Sequence, residues 1–445
     1  MTVRPFLIAC RLVGFAPAGH GDCNVQSAPS SASSPAEKTS AVALDLTEFK
    51  IGWQALLVAV VGVATSVNAT LLYGFSSMVV PLEKAFGWSR GELQPAITFL
   101  FLGAIVSSQV VGWLNNRYGL RKVTLASLVA LSCGFFLLTQ IRGSVWSLYI
   151  GFMLIAWAGL GTLQVTWTHL VNLWFERNRG LALALILSGT GIAAIIMPPL
   201  VTWVIERWSW KAGFVVMGMM SGLITIPLVY FWMREVNGTR AATDKGASVL
   251  SGYTFREGLR SWKFWVCNIA LTLVVSAILG IVTNGIPILR DRGMSAAEAS
   301  QIFSSFGISL ILGRVVVGYL VDRLWAPGVA AVALALPALG CVLLGSAGSN
   351  VPLLVLATLL IGVGAGAEFD LAAYLVSRYF GLREYGRLFG LHLGMITAGS
   401  AASPLLFGAM FKVTGSYIAL LSYCTACFAI GPILLLCLGR YPKFK

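Results

Sequence analysis

The sequence predicts an all-α membrane protein with 12 transmembrane helices in two pseudo-symmetric six-helix halves. Of the 445 residues, 57% are hydrophobic and only 11% are charged, whereas soluble domains contain about 25% charged residues. The chain holds 12 apolar runs long enough to span a bilayer, which requires roughly 20 residues each. Because hydrocarbon offers no partner for backbone polar groups, these spans must be helices.

An internal repeat supports the division into halves. The stretch Gly112-Trp-Leu-Asn-Asn-Arg117 matches Gly318-Tyr-Leu-Val-Asp-Arg323 at a separation of 206 residues, and Pro198 matches Pro404 at the same separation. A constant offset over several spans indicates a duplicated six-helix unit. Parallel duplication is the plan of secondary transporters that rock two halves around a site near the membrane midplane.

The predicted organisation has four parts. Residues 1–49 form a Ser- and Pro-rich tail whose composition is typical of disorder. Residues 50–233 form the first six-helix bundle, and residues 263–445 form the second bundle with a short tail. Between them, residues 234–262 form a central loop that combines a flexible linker with a short amphipathic helix, which is expected on the inner membrane face.

The individual helices follow from the apolar runs and the turns between them. The predicted spans include helix 1 at 53–80, helix 2 ending at Gly112, helix 4 at 146–174, helix 5 after Gly180, helix 6 ending near Trp232, and helices 7 to 12 at 264–289, 298–321, 328–347, 351–378, 387–411 and 417–439. Ser89 is placed to cap helix 2. The prolines Pro198, Pro199 and Pro404 remove helix hydrogen bonds and predict kinks in helices 5 and 11.

The net charge of +14 is distributed as a topology signal. If both termini are cytosolic, 22 of the 31 Lys and Arg residues lie on the inner side and 8 on the outer side, with Arg314 inside a span. This distribution obeys the positive-inside rule. The excess of Lys and Arg therefore indicates the lipid bilayer as a partner and does not indicate nucleic acid.

The sequence contains no recognisable nucleotide-binding loop, metal-ligand cluster or catalytic triad. The segment Gly366-Ala-Glu-Phe-Asp370 lacks the Lys-Ser/Thr ending of a phosphate loop. We therefore expect a protein that is not an enzyme and needs no cofactor. Energy for transport would come from an ion gradient or from substrate exchange.

Few ionisable residues lie deep in the predicted spans. Arg314 is eight residues from Asp322 at the inner end of helix 8, about 12 Å away. Asp370 and Glu368 are eight and ten residues from Arg378 on helix 10. Because both helices run inward, the arginine and the acids are predicted to lie at similar depth. Ionisable residues inside a membrane are functional candidates by default.

Arg314 is the candidate for binding a carboxylate, because a guanidinium is a planar fork that matches two oxygens. Glu368 and Asp370 are about 200° apart around a helix, so one is expected to face the cavity and the other a neighbouring helix. An acid that loses Arg314 when the substrate binds and regains it when the substrate leaves would take up and release a proton. The reason is that burial favours the neutral carboxyl group and a nearby cation favours the charged one. The alternative is a fixed structural ion pair.

Other polar residues complete the candidate site. Asn68 and Tyr73 on helix 1 and Asn284 on helix 7 are further substrate-binding candidates. His392 is a candidate for proton coupling, because histidine changes charge near neutral pH. For His392 and His169 the alternative is packing within the bundle.

The link after helix 2, Gly112–Lys122, resembles the loop between helices 2 and 3 of the major facilitator superfamily, and the resemblance covers about residues 50 to 440. It implies the major facilitator fold, alternating access, a monomer, and a cytosolic gate formed by this loop and its repeat. The gate residues that it implies are Gly112, Asn116, Arg117, Gly119, Arg121, Gly318, Asp322 and Arg323. Asn116 stands where the family usually has an acid, which the second copy keeps as Asp322.

Two further stretches, Pro81–Ser89 and Trp174–Ala182, look like those of bacterial monocarboxylate and oxalate/formate exchanger relatives. Gly313-Arg314 is similar to the helix-8 motif whose arginine binds the substrate in carboxylate transporters of this branch. The helix-1 lysine of many members is replaced by the neighbourhood Tyr73–Ser77. The resemblance implies transport of a small organic anion, with protons or by exchange, across the bacterial inner membrane.

Two other functions remain open at this point. The same fold could export hydrophobic or cationic compounds, with Glu368 and Asp370 as proton and cation sites. It could also serve as a membrane sensor that binds a ligand without transporting it, although the central loop contains no recognisable signalling domain.

Overall fold

The computed structural model describes residues 47–175, 178–233, 252–381 and 383–442. Within these ranges the chain is predominantly helical, and it belongs to one compact unit that starts at Asp45. The predicted tail lies outside the described residues except for its last three positions, which begin the first helix. The flexible part of the central loop, 234–251, also lies outside them.

Twelve helical segments follow one another in the predicted order. In the first half they are helix 1 at Thr47–Ala64 and Val67–Phe86, helix 2 at Pro95–Tyr118, helix 3 at Leu120–Leu138, helix 4 at Trp146–Ala158 and Gln164–Trp174, helix 5 at Arg179–Leu187 and Gly189–Arg207, and helix 6 at Trp210–Met219 and Ile226–Trp232. In the second half they are helix 7 at Trp262–Asp291, helix 8 at Ala296–Arg323, helix 9 at Ala326–Ser346, helix 10 at Val351–Phe380, helix 11 at Tyr385–Thr414 and helix 12 at Ile418–Leu436.

Eleven of these described segments are long and apolar enough to cross a membrane, and helix 4 is the exception because neither of its two parts is long enough by itself. A 3-10 turn at Leu160–Thr162 separates its two parts, where the sequence predicts one continuous helix. Helix 1 is also interrupted, and Ser66 caps its second part by accepting a hydrogen bond from the Ala69 N–H. The two breaks meet, since the Val67 N–H donates to Thr162 Oγ1 at 3.2 Å. A side chain at the break in helix 4 therefore satisfies a backbone N–H that the break in helix 1 leaves free.

Local sequence signals account for several helix ends. Ser89 caps a four-residue helix at Arg90–Leu93 through a reciprocal bond with Glu92, just before helix 2 begins. Helices 5 and 11 continue through the prolines that predict kinks, so these residues do not end either helix. A short helix, Phe255–Arg260, precedes helix 7 and lies within the stretch predicted to be amphipathic.

Burial separates central from peripheral helices. In the most apolar window of helix 7, 78% of the residues are buried, compared with 33% in helices 3 and 6. Helix 7 therefore lies inside the bundle, whereas helices 3 and 6 present apolar side chains outward, as lipid-facing helices do.

The two halves are joined at the end of the bundle that carries the connections 1–2 and 7–8, here called the closed end. Arg90 Nη1 donates to both carboxylate oxygens of Asp291 at 2.9 Å, and Gln94 Nε2 donates to Asn284 Oδ1 at 2.8 Å. A Cβ added to Gly408 would lie 2.5 Å from the backbone oxygen of Gly91, so these backbones are in direct contact. The closed end is thus held by charge, hydrogen bonds and close packing together.

The opposite end holds the predicted gate and many cations, and is here called the basic end. A Cβ added at Gly112 or at Gly318 would have no neighbour within 4 Å. Arg117 stacks on Trp113 at 5.5 Å and Arg121 on Tyr230 at 5.4 Å, both within the first half. At this end the described gate side chains contact their own half, unlike the residues of the closed end.

Candidate functional site

The central feature of the site is an ion pair between helices 8 and 10. Arg314 Nε lies 3.2 Å from Asp370 Oδ2, and the side chains are 6% and 36% exposed, respectively. A buried arginine in a transmembrane helix is costly unless it has an anionic partner or water. The prediction that the arginine and an acid lie at the same depth is therefore confirmed, and Asp370 is the acid that pairs with Arg314.

Glycines allow the two helices to approach closely enough for this pair. A Cβ at Gly362 or Gly366 would lie 2.3 or 2.0 Å from a backbone oxygen of helix 8. A Cβ at Gly313 would lie 2.6 Å from the backbone oxygen of Val363 on helix 10. Real side chains do not tolerate such contacts, so the helices pack backbone to backbone, as small residues permit in membranes.

Glu368 lies two residues before Asp370 and has a different environment. It is buried, and its Oε2 atom has no hydrogen-bond partner among the described residues. Arg314 is close enough to interact electrostatically with both acids. The two acids therefore differ in access, because Asp370 reaches open space and Glu368 does not.

Helix 1 contributes Tyr73 to this cluster. The side chain is buried and lies close enough to Glu368 and Arg314 to interact with both electrostatically. Its ring centroid lies 6.3 Å from that of Phe306 on helix 8. The structure thus brings Tyr73, Arg314, Glu368 and Asp370 together from both halves.

The remaining predicted substrate residues have other contacts. Asn284 is buried at the closed end, where it accepts a hydrogen bond from Gln94. Asn68 lies on the second part of helix 1, and its Oδ1 atom is buried without a hydrogen-bond partner among the described residues. Asn284 thus links the two halves, whereas Asn68 keeps a free acceptor among the described residues, and the substrate-binding roles of both stay predictions.

His392 lies between helices 7 and 11. Its Nδ1 atom is 2.7 Å from Asn268 Oδ1, and the Asn268 amide nitrogen donates to the Phe264 carbonyl at 2.9 Å. This arrangement assigns the ring proton to Nδ1, because the facing oxygen can only accept. The ring is fully buried, and Asn268 is its one polar partner among the described residues, which favours the packing alternative.

The residues predicted to form the gate lie at the basic end, and their role as a gate stays a prediction. Gly119 immediately precedes helix 3 and has a φ of 86°, a conformation that favours glycine. Asp322 is exposed, and Arg323 stacks over the ring of Tyr319 at 3.9 Å. The side chain of Asn116 lies outside the described residues.

Sequence reasoning missed the ion pairs of the closed end. Arg90 bonds to Glu83 at 2.9 Å as well as to Asp291, and its guanidinium lies 5.9 Å from the rings of Phe411 and Tyr417. These partners are spread over the whole chain. The only signal in the sequence is a set of charges at predicted outer turns, which does not identify pairs.

Two six-helix halves with a charged cluster between them define the architecture of a secondary membrane transporter. The chain belongs to the Major Facilitator Superfamily, whose family model matches residues 61–404 and 285–445.

Similar proteins agree with this assignment. An uncharacterised MFS-type transporter, YcxA of Bacillus subtilis, is 22% identical over 81% of this chain and 89% of its own length. A gallate transporter of Pseudomonas putida is 25% identical over 73% of this chain and 82% of its own. Monocarboxylate transporter 13 of Bos taurus is 25% identical over 70% of this chain and 72% of its own.

A solved structure, that of a D-xylose–proton symporter, has the same fold. It matches 88% of this chain and 98% of its own with a TM-score of 0.66, at 14% sequence identity. At that identity the likeness concerns the fold and carries no information about the substrate.

Proposed function

We propose that this chain is a secondary transporter of small organic carboxylates, in which the substrate competes with Asp370 for Arg314. The observation that carries the proposal is the Arg314–Asp370 pair, in which a buried cation faces a partly open acid. A fixed structural pair in a membrane would be best protected if both members were buried. An open acid can instead be displaced by an anion that enters from water.

The chemistry of Arg314 suits a carboxylate. Its Nε and Nη1 atoms have no hydrogen-bond partner among the described residues, although Nε lies 3.2 Å from Asp370 Oδ2, so donors remain for a carboxylate. Guanidinium–carboxylate pairs are frequently bidentate, which adds geometric specificity as well as energy. The names of two relatives, a gallate transporter and a monocarboxylate transporter, support a carboxylate as substrate.

Coupling to protons follows from the same competition. When the substrate occupies Arg314, Asp370 loses its cation and binds a proton from the adjoining water. When the substrate leaves, Arg314 again favours the charged carboxylate, and the proton is released. Glu368 and Tyr73 complete the charged cluster. If protonation does not accompany the cycle, the same site supports exchange of one anion for another.

Alternating access would use the two ends of the bundle. In the proposed orientation the basic end faces the cytosol of a bacterium, and the closed end faces the outside. Gly112, Asn116, Arg117, Gly119 and Arg121 and their counterparts Gly318, Asp322 and Arg323 would join the halves when the basic end closes. The transporter would function as a monomer.

The test is uptake of labelled gallate and short monocarboxylates into proteoliposomes. Arg314→Ala is expected to abolish binding and uptake, because each lost charged hydrogen bond costs about 1.5–3 kcal/mol, at least roughly tenfold in affinity. Arg314→Lys keeps the charge but loses the fork, so weak transport is expected. Arg142→Ala, a change of an exposed arginine in the link after helix 3, is the matched control.

Unchanged carboxylate transport by correctly inserted Arg314→Ala would contradict the proposal. Transport of hydrophobic cations that does not depend on Arg314 would instead support the efflux function.

A further inference from the structure

The short helix Phe255–Arg260 is fixed to the connection between helices 10 and 11. The Tyr253 N–H donates to the Phe380 carbonyl at 2.9 Å, and the Phe255 N–H donates to Glu384 Oε2 at 2.8 Å. A Cβ added to Gly258 would lie 2.6 Å from the Leu388 side chain. These contacts hold the helix against the second half at the basic end, so its outer surface has a defined position.

Cations from two segments meet on that surface. Arg256 and Arg260 are exposed one turn apart on the short helix, and the structure records no ion pair for either with any described residue. The exposed Arg387 guanidinium lies 4.4 Å from the Phe255 ring centroid. Arg383 is also exposed and is close enough to Glu257 to interact electrostatically. We call these four arginines the arginine surface.

The two acids nearby have other partners. Glu257 Oε2 accepts a hydrogen bond from the Thr254 N–H at 2.8 Å in a capping box, and these bonds hold the pKa of Glu257 below its usual range. Glu384 is shared between the Phe255 N–H and Arg387, whose Nη1 atom lies 3.3 Å away. Because the four arginines outnumber these two acids, both of which are already hydrogen-bonded, the arginine surface keeps an excess of positive charge.

Two exposed tryptophans place the arginine surface at the depth of lipid headgroups. Trp262 and Trp265, 56% and 42% exposed, lie in the first turn of helix 7, where the membrane span begins. Trp265 Nε1 donates to the Leu259 carbonyl of the short helix at 2.9 Å, which links the indole directly to it. Tryptophan is enriched at the membrane–water interface because its ring is apolar and its N–H is polar.

We propose that the arginine surface, together with Trp262 and Trp265, binds the phosphate headgroup of an anionic phospholipid in the leaflet at the basic end. Arginine offers bidentate hydrogen bonds to phosphate oxygens. A lipid fits better than a soluble anion, because the exposed indoles beside the arginines contact the acyl–headgroup boundary. This site is separate from Arg314 and does not depend on the identity of the transported substrate.

The test uses the full-length protein in detergent micelles that contain phosphatidylcholine, to which phosphatidylglycerol is added. Bound lipid is counted by native mass spectrometry, and thermal unfolding is followed in parallel. Wild type is expected to retain phosphatidylglycerol and to unfold at a higher temperature in its presence. Because a cation near an anionic surface contributes about 1 kcal/mol, Arg256→Gln/Arg260→Gln should weaken the binding roughly thirtyfold.

The matched control is Lys50→Gln/Lys122→Gln, which removes two exposed cations from the first half at the same end. It should bind phosphatidylglycerol as wild type does. Equal losses in both double variants would overturn the proposal, since they would reflect net charge alone. It would also be overturned by equal retention of phosphatidylcholine, or if soluble glycerol phosphate stabilised the protein as well as the lipid does.

Discussion

Arg314 Nε and Asp370 Oδ2 lie 3.2 Å apart on two helices that cross backbone to backbone, with the arginine buried and the acid partly open. The pair joins helices 8 and 10 within one half. Tyr73 from the other half is near enough to interact with Arg314 electrostatically. The cluster therefore includes residues of both halves.

The Arg314–Asp370 pair predicts a specific pattern of stabilities. Arg314→Ala should lower the thermal unfolding temperature, because it leaves two acids without their cation. The double variant Arg314→Ala/Asp370→Asn should unfold at a higher temperature than Arg314→Ala, since one of the uncompensated acids is gone. Neighbouring residues show coupling energies of about 0.5–3 kcal/mol. Strictly additive effects in the double-mutant cycle would show that the two side chains do not interact.

Glu368 provides a test of proton coupling. Glu368→Gln keeps the shape of the side chain but removes its ability to carry a proton. If Glu368 takes part in coupling, a pH gradient will no longer drive accumulation of substrate in proteoliposomes, while exchange of labelled for unlabelled substrate will continue. Glu206→Gln, at an exposed position on helix 5, should leave both activities intact. Full proton-driven accumulation by Glu368→Gln would remove Glu368 from the mechanism.

Gly366 lies where helices 8 and 10 cross, so even the methyl group of alanine does not fit at this position. A Cβ there would lie 2.0 Å from the Leu310 carbonyl oxygen, and overpacking of this kind costs about 1–3 kcal/mol. Gly366→Ala should therefore lower the unfolding temperature and reduce transport. Gly390→Ala is the control, because a Cβ at that helical position meets open space and should be neutral or stabilising. Similar behaviour of the two variants would contradict the observed crossing.

Arg90 and Asp291 hold the closed end through two hydrogen bonds at 2.9 Å. Arg90→Gln should shift the conformational equilibrium toward states that are open at this end. Partly exposed ion pairs contribute up to about 1 kcal/mol, which corresponds to roughly a fivefold change in population. The shift can be measured as faster labelling of Leu93→Cys, a buried position near Arg90, in a background without native cysteines.

Asp291→Asn should have a similar but smaller effect on labelling, because the amide oxygen can still accept one hydrogen bond from Arg90 across the two halves. Labelling rates that do not change in either variant would show that the ion pair does not control this end.

His392 is expected to have a packing role. His392→Asn should lower stability, because the ring is fully buried and bonded to Asn268 at 2.7 Å. It should leave the shape of the pH profile of uptake unchanged. A shifted profile at normal expression would instead assign His392 to proton coupling, the role for which its type alone made it a candidate.

Much of the site was accessible from the sequence, because depth along a helix is set by a constant rise per residue. Counting residues from Asp322 and Arg378 was enough to place Arg314 level with Asp370 and Glu368. Counting does not reveal which acid pairs with the arginine. That depends on the rotation of each helix and on how closely the helices pack, which Gly362 and Gly366 determine through contacts with helix 8.

The breaks in helices 1 and 4 were missed for a related reason. Both lie in apolar stretches where composition favours a continuous span. The break in helix 1 is stabilised by a partner in helix 4, since the Val67 N–H donates to Thr162 Oγ1. A pattern read one helix at a time does not contain that partner.

The sequence by itself determined a duplicated bundle of transmembrane helices, its likeness to the major facilitator superfamily, and the depth of the buried charges. These properties follow from composition and residue spacing, which are local or periodic features of the sequence, together with the apolar nature of the bilayer. Only the tertiary structure decided that Asp370 is the partner of Arg314, that Asn284 joins the halves, and that one end is sealed. The Arg90–Asp291 bond spans 201 residues of sequence, and such contacts exist only once the helices have packed.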